Sequence, residues 1–175
     1  MKQRFIFSFT LLFIIIIAIG CSNEVKQKII TTIGSEEYTR LMNLSLDDFD
    51  QSSQGFRQYS NDYELVRLVI PEYIKVNKLA TSESRNLHWH LGQMHAFNDN
   101  YKEAIAEMKQ SYLASSKTWQ AYVDGTIAFL EKDKQALIKA LELLNEQDNQ
   151  MNIEFLEKFI KYFDQSYRQA YNADL

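Results

Sequence analysis

Apolar residues are distributed along this chain in two ways, one continuous and one periodic. From Phe5 to Ile19 the side chains carry no charge and are nearly all apolar, interrupted only by Ser8 and Thr10. Beyond Ser35 the apolar positions recur every three or four residues, the spacing that gathers them on one face of an α-helix. Leu65, Leu68, Val69 and Tyr73 form one such stripe; Leu156, Phe159 or Ile160, Phe163 and Tyr167 form another. No sustained period-two alternation bounded by glycine or Asn-Gly turns is found. The pattern predicts an all-α fold.

Capping and breaking residues place the elements. A first helix is predicted from Glu36 to Leu44, and Ser45 with Asp48 three residues on marks the start of the next. Gln51 to Gly55 breaks it, Phe56 to Tyr59 makes a short helical turn, and Asn61 or Asp62 caps a helix from Tyr63 to Asn77. Pro71 lies inside that helix, where a missing donor and a ring clash predict a kink or break. Thr81-Ser82-Glu83-Ser84 opens a helix to Phe97; after the Asn98-Asp99-Asn100 turn its partner runs from Tyr101 to about Ala114. Trp119 to Glu131, a Lys132-Asp133 turn and Lys134 to Asn145 make a second pair. A single closing helix is expected from Asn152 to Tyr171. Residues 21–35, polar with a few aliphatics (Ile29, Ile30 and Ile33 among them), are expected to be a tether, helical in part.

The pairing of helices matters more than any one of them. Leu91-Gly92 followed by Tyr101, Ala104 and Met108 resembles a tetratricopeptide repeat. There, small residues admit close helix approach and bulky ones fill the groove. At an offset of 32 residues, Ala96-Phe97 maps onto Ala128-Phe129, Ala104 onto Ala136, Ile105 onto Leu137 and Met108 onto Ala140. The resemblance implies a short α-solenoid of two to three TPR-like hairpins with a C-terminal capping helix, spanning 36–175. Four further blocks, Leu44 to Gln51, Gly55-Phe56-Arg57, Leu87 to Gln93 and Trp119 to Leu130, resemble a family of bacterial TPR-like proteins without a characterised activity.

The N-terminal run has its own meaning. Met1-Lys2-Gln3-Arg4 is basic, and fifteen uncharged residues follow, short of the roughly 20 that a spanning helix needs. Ala18-Ile19-Gly20-Cys21 resembles the lipobox of bacterial lipoprotein signal peptides. That resemblance implies cleavage of residues 1–20, diacylglycerol on Cys21 and attachment to a membrane. Cys21 is the only cysteine in the chain, so no internal disulfide can form. Loss of Lys2 and Arg4 on cleavage moves the formal charge from −4 to −6, which disfavours nucleic acid as a partner. Ser22 lacks the aspartate that retains many enteric lipoproteins at the inner membrane, which favours the outer membrane where one exists.

Candidate chemistry is sparse. His88, His90 and His95 fall within eight residues. On one helix, however, positions 88 and 95 stand about 10.5 Å apart and position 90 points some 160° away from 88. A single metal ion cannot collect all three, and neither metal nor cofactor is expected. No nucleophile elbow, phosphate loop or metal-ligand spacing is present. Trp89, Gln93 and Phe97 follow at i, i+4 and i+8, the stripe that in the tetratricopeptide pattern faces a partner-binding groove. Packing of Trp89 against a neighbouring helix is the competing reading. Arg57 and Asp124 are candidate polar contacts, while Asp47, Asp48 and Asp50 are expected to cap helices. The expected function is a membrane-tethered, non-enzymatic adaptor for a protein or peptide. A hydrolase or ligand-binding lipoprotein with a site near His88 and His95 is the alternative.

Overall fold

A computed structural model describes residues 23–112, 117–145 and 150–175. Cys21 and the N-terminal apolar run lie outside them. All regular structure among the described residues is helical: α1 (23–33), α2 (Ser35–Met42), α3 (Leu46–Gln51), a 3-10 turn (Phe56–Tyr59), α4 (Tyr63–Val76), α5 (Thr81–Phe97), α6 (Tyr101–Gln110), α7 (Lys117–Glu131), α8 (Lys134–Asn145), α9 (Gln150–Lys161) and α10 (Tyr167–Tyr171). Helices pack as sequential pairs, α5 on α6 and α7 on α8. No helix among them is long and apolar enough to cross a membrane.

Two hydrophobic clusters share α5. Leu87 and Leu91 face an N-terminal cluster with Leu41, Phe49, Val69 and Tyr73; Trp89 and Ala96 face a C-terminal cluster with Phe129, Leu156, Phe159 and Tyr167. Residues two apart on a helix point roughly 160° away from each other, so Leu87 and Trp89 enter opposite cores. The helix is buried on two sides, which is why a single apolar stripe does not describe it.

Within the stretch expected to be a tether helical in part, residues 23–33 form α1 and pack into the domain. Ile29 is fully buried in the N-terminal cluster, with Val25, Ile30 and Ile33 packed around it. Four apolar residues in a polar stretch suffice because they fall on one helical face. Gly34, at φ 86°, turns the chain into α2, a conformation that an L-side chain rarely adopts.

Most caps are where the sequence puts them. Ser45 accepts from the Asp48 amide, and Asp62 accepts from that of Leu65. The Glu83 carboxylate accepts from Ala80 N–H at 2.7 Å, holding the first turn of α5. Pro71 does not break α4, which runs through to Val76. Proline is exposed there, so the acceptor it leaves free, one turn back at Arg67, lies toward water.

The closing segment is not one helix. α9 ends at Lys161, and Ser166 opens α10 with a reciprocal cap: Ser166 Oγ accepts from Gln169 N–H, and Gln169 Oε1 accepts from Ser166 N–H at 3.1 Å. Lys132 secures the reversal by donating to the carbonyls of Phe163 (2.6 Å) and Gln165 (2.8 Å). The chain thereby folds back so that α10 lies on α5.

The two helix pairs correspond at an offset of 33 residues, not the 32 read from the sequence. Asp99 and Lys132 both have φ 59°. Asp99 N–H donates to Ala96 O and Asn100 N–H to His95 O; Lys132 donates to Phe129 O and Asp133 to Ala128 O in the same way. Both are Schellman closures. The same offset places Gly92 on Gly125, and both mark close helix contacts. A methyl group on Gly92 would stand 2.7 Å from Met108 Cγ and 3.1 Å from Ala104 O; one on Gly125 would stand 2.5 Å from Leu156 Cδ1. Ala104 therefore matches Leu137, and both are fully buried, whereas Ala136 is exposed.

Candidate functional site

The Trp89 stripe is not an open groove. Trp89 is 5 % exposed, with Trp119 edge-on at 5.0 Å and Tyr122 at 5.1 Å between ring centroids. It is a core residue. Further along the stripe the chain supplies its own occupant: Tyr167 and Tyr171 of α10 each stand edge-on to Phe97 at 5.1 Å, and Arg168 Nε donates to the Phe97 carbonyl at 2.9 Å. Gln93 Nε2 lies 3.5 Å from the Tyr167 hydroxyl. Asp124 is exposed on α7, accepts from the Tyr112 hydroxyl and stands apart from the other candidates.

Three of the five candidates nevertheless converge. Arg57, Gln93 and Phe97 line one cleft of about 250 Å³, together with Phe56, Ser60, His90, Met94 and Tyr171. The 3-10 turn brings Phe56 and Arg57 to one side of it, α5 forms the floor, and α10 closes it with Tyr171. No lining residue is acidic. Other hollows are larger but more open: about 650 Å³ beside residues 33–40 and about 420 Å³ between α6, α7 and α8.

A polar cluster beneath the cleft fixes its cation. Asp50 is 4 % exposed, and it belongs to this cluster instead of capping a helix. Its Oδ1 lies 2.7 Å from His90 Nδ1, and its Oδ2 accepts from Gln51 Nε2 at 2.5 Å. Arg57 Nε donates to the Asp50 carbonyl, and Nη2 lies 3.3 Å from His90 Nε2. A neutral His90 satisfies every contact if Nδ1–H donates to Asp50 and Nε2 accepts from Arg57. In that arrangement the imidazole has no free lone pair for proton abstraction. It is a strut between a buried carboxylate and a guanidinium.

The other histidines are engaged separately. His88 Nδ1 meets Glu107 Oε2 at 2.7 Å. His95 Nδ1 meets the Tyr63 hydroxyl at 2.9 Å, and Asn100 Nδ2 donates to the same hydroxyl at 2.8 Å. Burial holds the His95 pKa below its ordinary 6.5, opposed by Glu107 and Glu103. Neither His88 nor His95 lines the cleft. No group of three or more His, Cys, Asp or Glu among the described residues could hold a metal ion.

Sequence reasoning missed Asp50, His90, Met94 and Tyr171 as neighbours of Arg57. Asp50 and His90 are forty residues apart on different elements, and no spacing rule joins them. Comparison with protein-family models, with curated proteins and with solved structures gave no match in any of the three.

Proposed function

We propose that this chain is a lipid-anchored envelope protein whose TPR-like helical domain binds a protein or peptide without chemical catalysis. The convergence of Arg57, Gln93 and Phe97 in one cleft carries this reading. It moves the binding surface away from Trp89 and Asp124. A rigid cation, an amide and aromatic walls make a recognition site. The sequential helix pairs, the repeated Schellman turns and the matched glycines support the TPR-like reading of the fold.

The anchor rests on Ala18-Ile19-Gly20-Cys21. Acyl burial contributes about 0.8 kcal/mol per methylene, so two or three chains on Cys21 hold the protein stably where one would not. The outer membrane is the favoured destination in a cell that has one. Mass spectrometry of the mature protein is expected to find a diacylglyceryl Cys21 at its N-terminus and none in Cys21→Ser; an uncleaved or unmodified chain refutes the anchor.

Capture from its own membranes tests the cleft. Ser60 is exposed on the rim, so Ser60→Trp fills the opening without touching either core. Partner capture is expected to fall with an unchanged melting temperature. Equal capture by Ser60→Trp and the natural protein rejects the cleft as the binding surface.

A further inference from the structure

Arg57 reaches the cleft with only part of its guanidinium engaged. Nε and Nη2 are held by Asp50 and His90, while Nη1, with two N–H groups, has no partner among the described residues. The Phe56 ring stands 5.4 Å from the guanidinium carbon and restrains it from the side. The side chain is 40 % exposed, so the free edge can be reached from solvent. Such a group is a pre-positioned fork for a planar anion.

Charge narrows the anion. Asp50 lies 3.9 Å from Arg57 Nη2 and cancels much of its charge locally. A dianion would be poorly compensated here, but a monoanion hydrogen-bonded to the free edge would not. Arg168, whose guanidinium carbon is 5.9 Å from the Phe97 ring, adds a second positive group near the far wall. Met94, Phe97 and Tyr171 supply an apolar flank, and Gln93 a neutral donor and acceptor.

Size narrows it further. Clefts that engulf a whole drug-sized ligand run from about 300 to 1,000 Å³. At about 250 Å³ this one accommodates the end of a chain.

We propose that the cleft takes a carboxylate carried next to an apolar side chain, with the carboxylate on the free edge of Arg57 and the side chain against Met94, Phe97 and Tyr171. Two sources share that chemistry: the free C-terminus of a peptide and a small free acid. The proposal rests on the reading of the cleft as the binding surface and names its ligand.

The test uses the mature lipidated protein in micelles, followed by the Met94 methyl resonance. The probes are N-acetyl-Ala-Phe with a free carboxylate, its C-terminal amide, 3-phenylpropionate and inorganic phosphate. Carboxylate binding is expected to be about tenfold or more tighter than amide binding, from loss of one charge-assisted hydrogen bond. In Arg57→Gln the acid should fall to the amide's level, with Arg57→Lys intermediate. The acid–amide comparison needs no substitution, so it stands even where a variant misfolds. Tighter binding of the peptide acid assigns a chain terminus, and tighter binding of 3-phenylpropionate assigns a free acid; each supports the class. Equal binding of acid and amide, preference for phosphate, or no response from either acid overturns it. A partner whose capture is lost in Ser60→Trp but unaffected by amidating its C-terminus leaves the cleft standing and removes the carboxylate.

Discussion

Replacing Trp89 with alanine separates a core role from a binding role. The side chain is 5 % exposed and touches two aromatic rings of α7, Trp119 and Tyr122. Truncating a buried Trp typically costs about 3–5 kcal/mol from lost transfer energy and the cavity left behind. The lost aromatic pairs belong within that range, since each is worth only ~0.5–1.5 kcal/mol beyond area burial. A domain of this size loses about 2–4 °C of melting temperature per kcal/mol, so Trp89→Ala should melt roughly 6–20 °C lower. Urea unfolding followed by circular dichroism gives the free energy directly, and near-ultraviolet dichroism reports the altered environment of Trp119. A variant within about 1 kcal/mol of the natural protein that nonetheless loses its partner would refute the packing and restore Trp89 as a binding anchor.

Three other outcomes follow from local geometry. Gly55→Ala drives a methyl carbon into the Phe49 carbonyl oxygen, a backbone clash that no side-chain rotation relieves; urea unfolding should show a loss above ~3 kcal/mol or no folded state. Lys78 sits at φ 51° in the turn after α4, where glycine adopts the left-handed conformation without a Cβ penalty, so Lys78→Gly should gain about 0.5–1 kcal/mol in the same assay. A loss instead would contradict that turn. His95 favours its neutral form in the fold, so it should titrate below 6.5 by NMR. Its contribution to stability is complete above pH 6.5 and declines as pH falls toward the folded value, because the unfolded chain takes up the proton first. Titration at or above 6.5 contradicts the burial of that ring.

Several features were legible because they depend on neighbours in the chain. Ser45, Asp62, the Asn98 to Asn100 turn and the Lys132-Asp133 turn are satisfied by contacts within five residues. Ser166 and Gln169 form the same kind of signal, an S-x-x-Q box that marks a new helix start inside the supposed closing helix. The apolar stripe from Leu156 to Tyr167 hid it, because a reversal held by Lys132 keeps Tyr167 on the core side. The repeat offset slipped by one because Ala96-Phe97 matches Ala128-Phe129 at 32, whereas Gly92 with Gly125 and the burial of Ala104 and Leu137 fit 33.

What the chain alone determined is its all-α character, most of its helix starts and turns, and the residue types available for chemistry. These follow from short-range hydrogen bonding and from period-3.6 burial. The tertiary structure decided what each stripe faces. α5 is buried on two sides, so the spacing of Trp89, Gln93 and Phe97 is equally good for a groove and for a core. Packing of Trp119 and Tyr122 from α7 makes Trp89 core, whereas the return of α10 onto α5 leaves Gln93 and Phe97 bordering a cleft. The same packing brings Asp50 from α3, Arg57 from the 3-10 turn and His90 from α5 into one cluster. Contacts across forty residues leave no local trace in a sequence, because nothing in the nearby chain needs to change to make them.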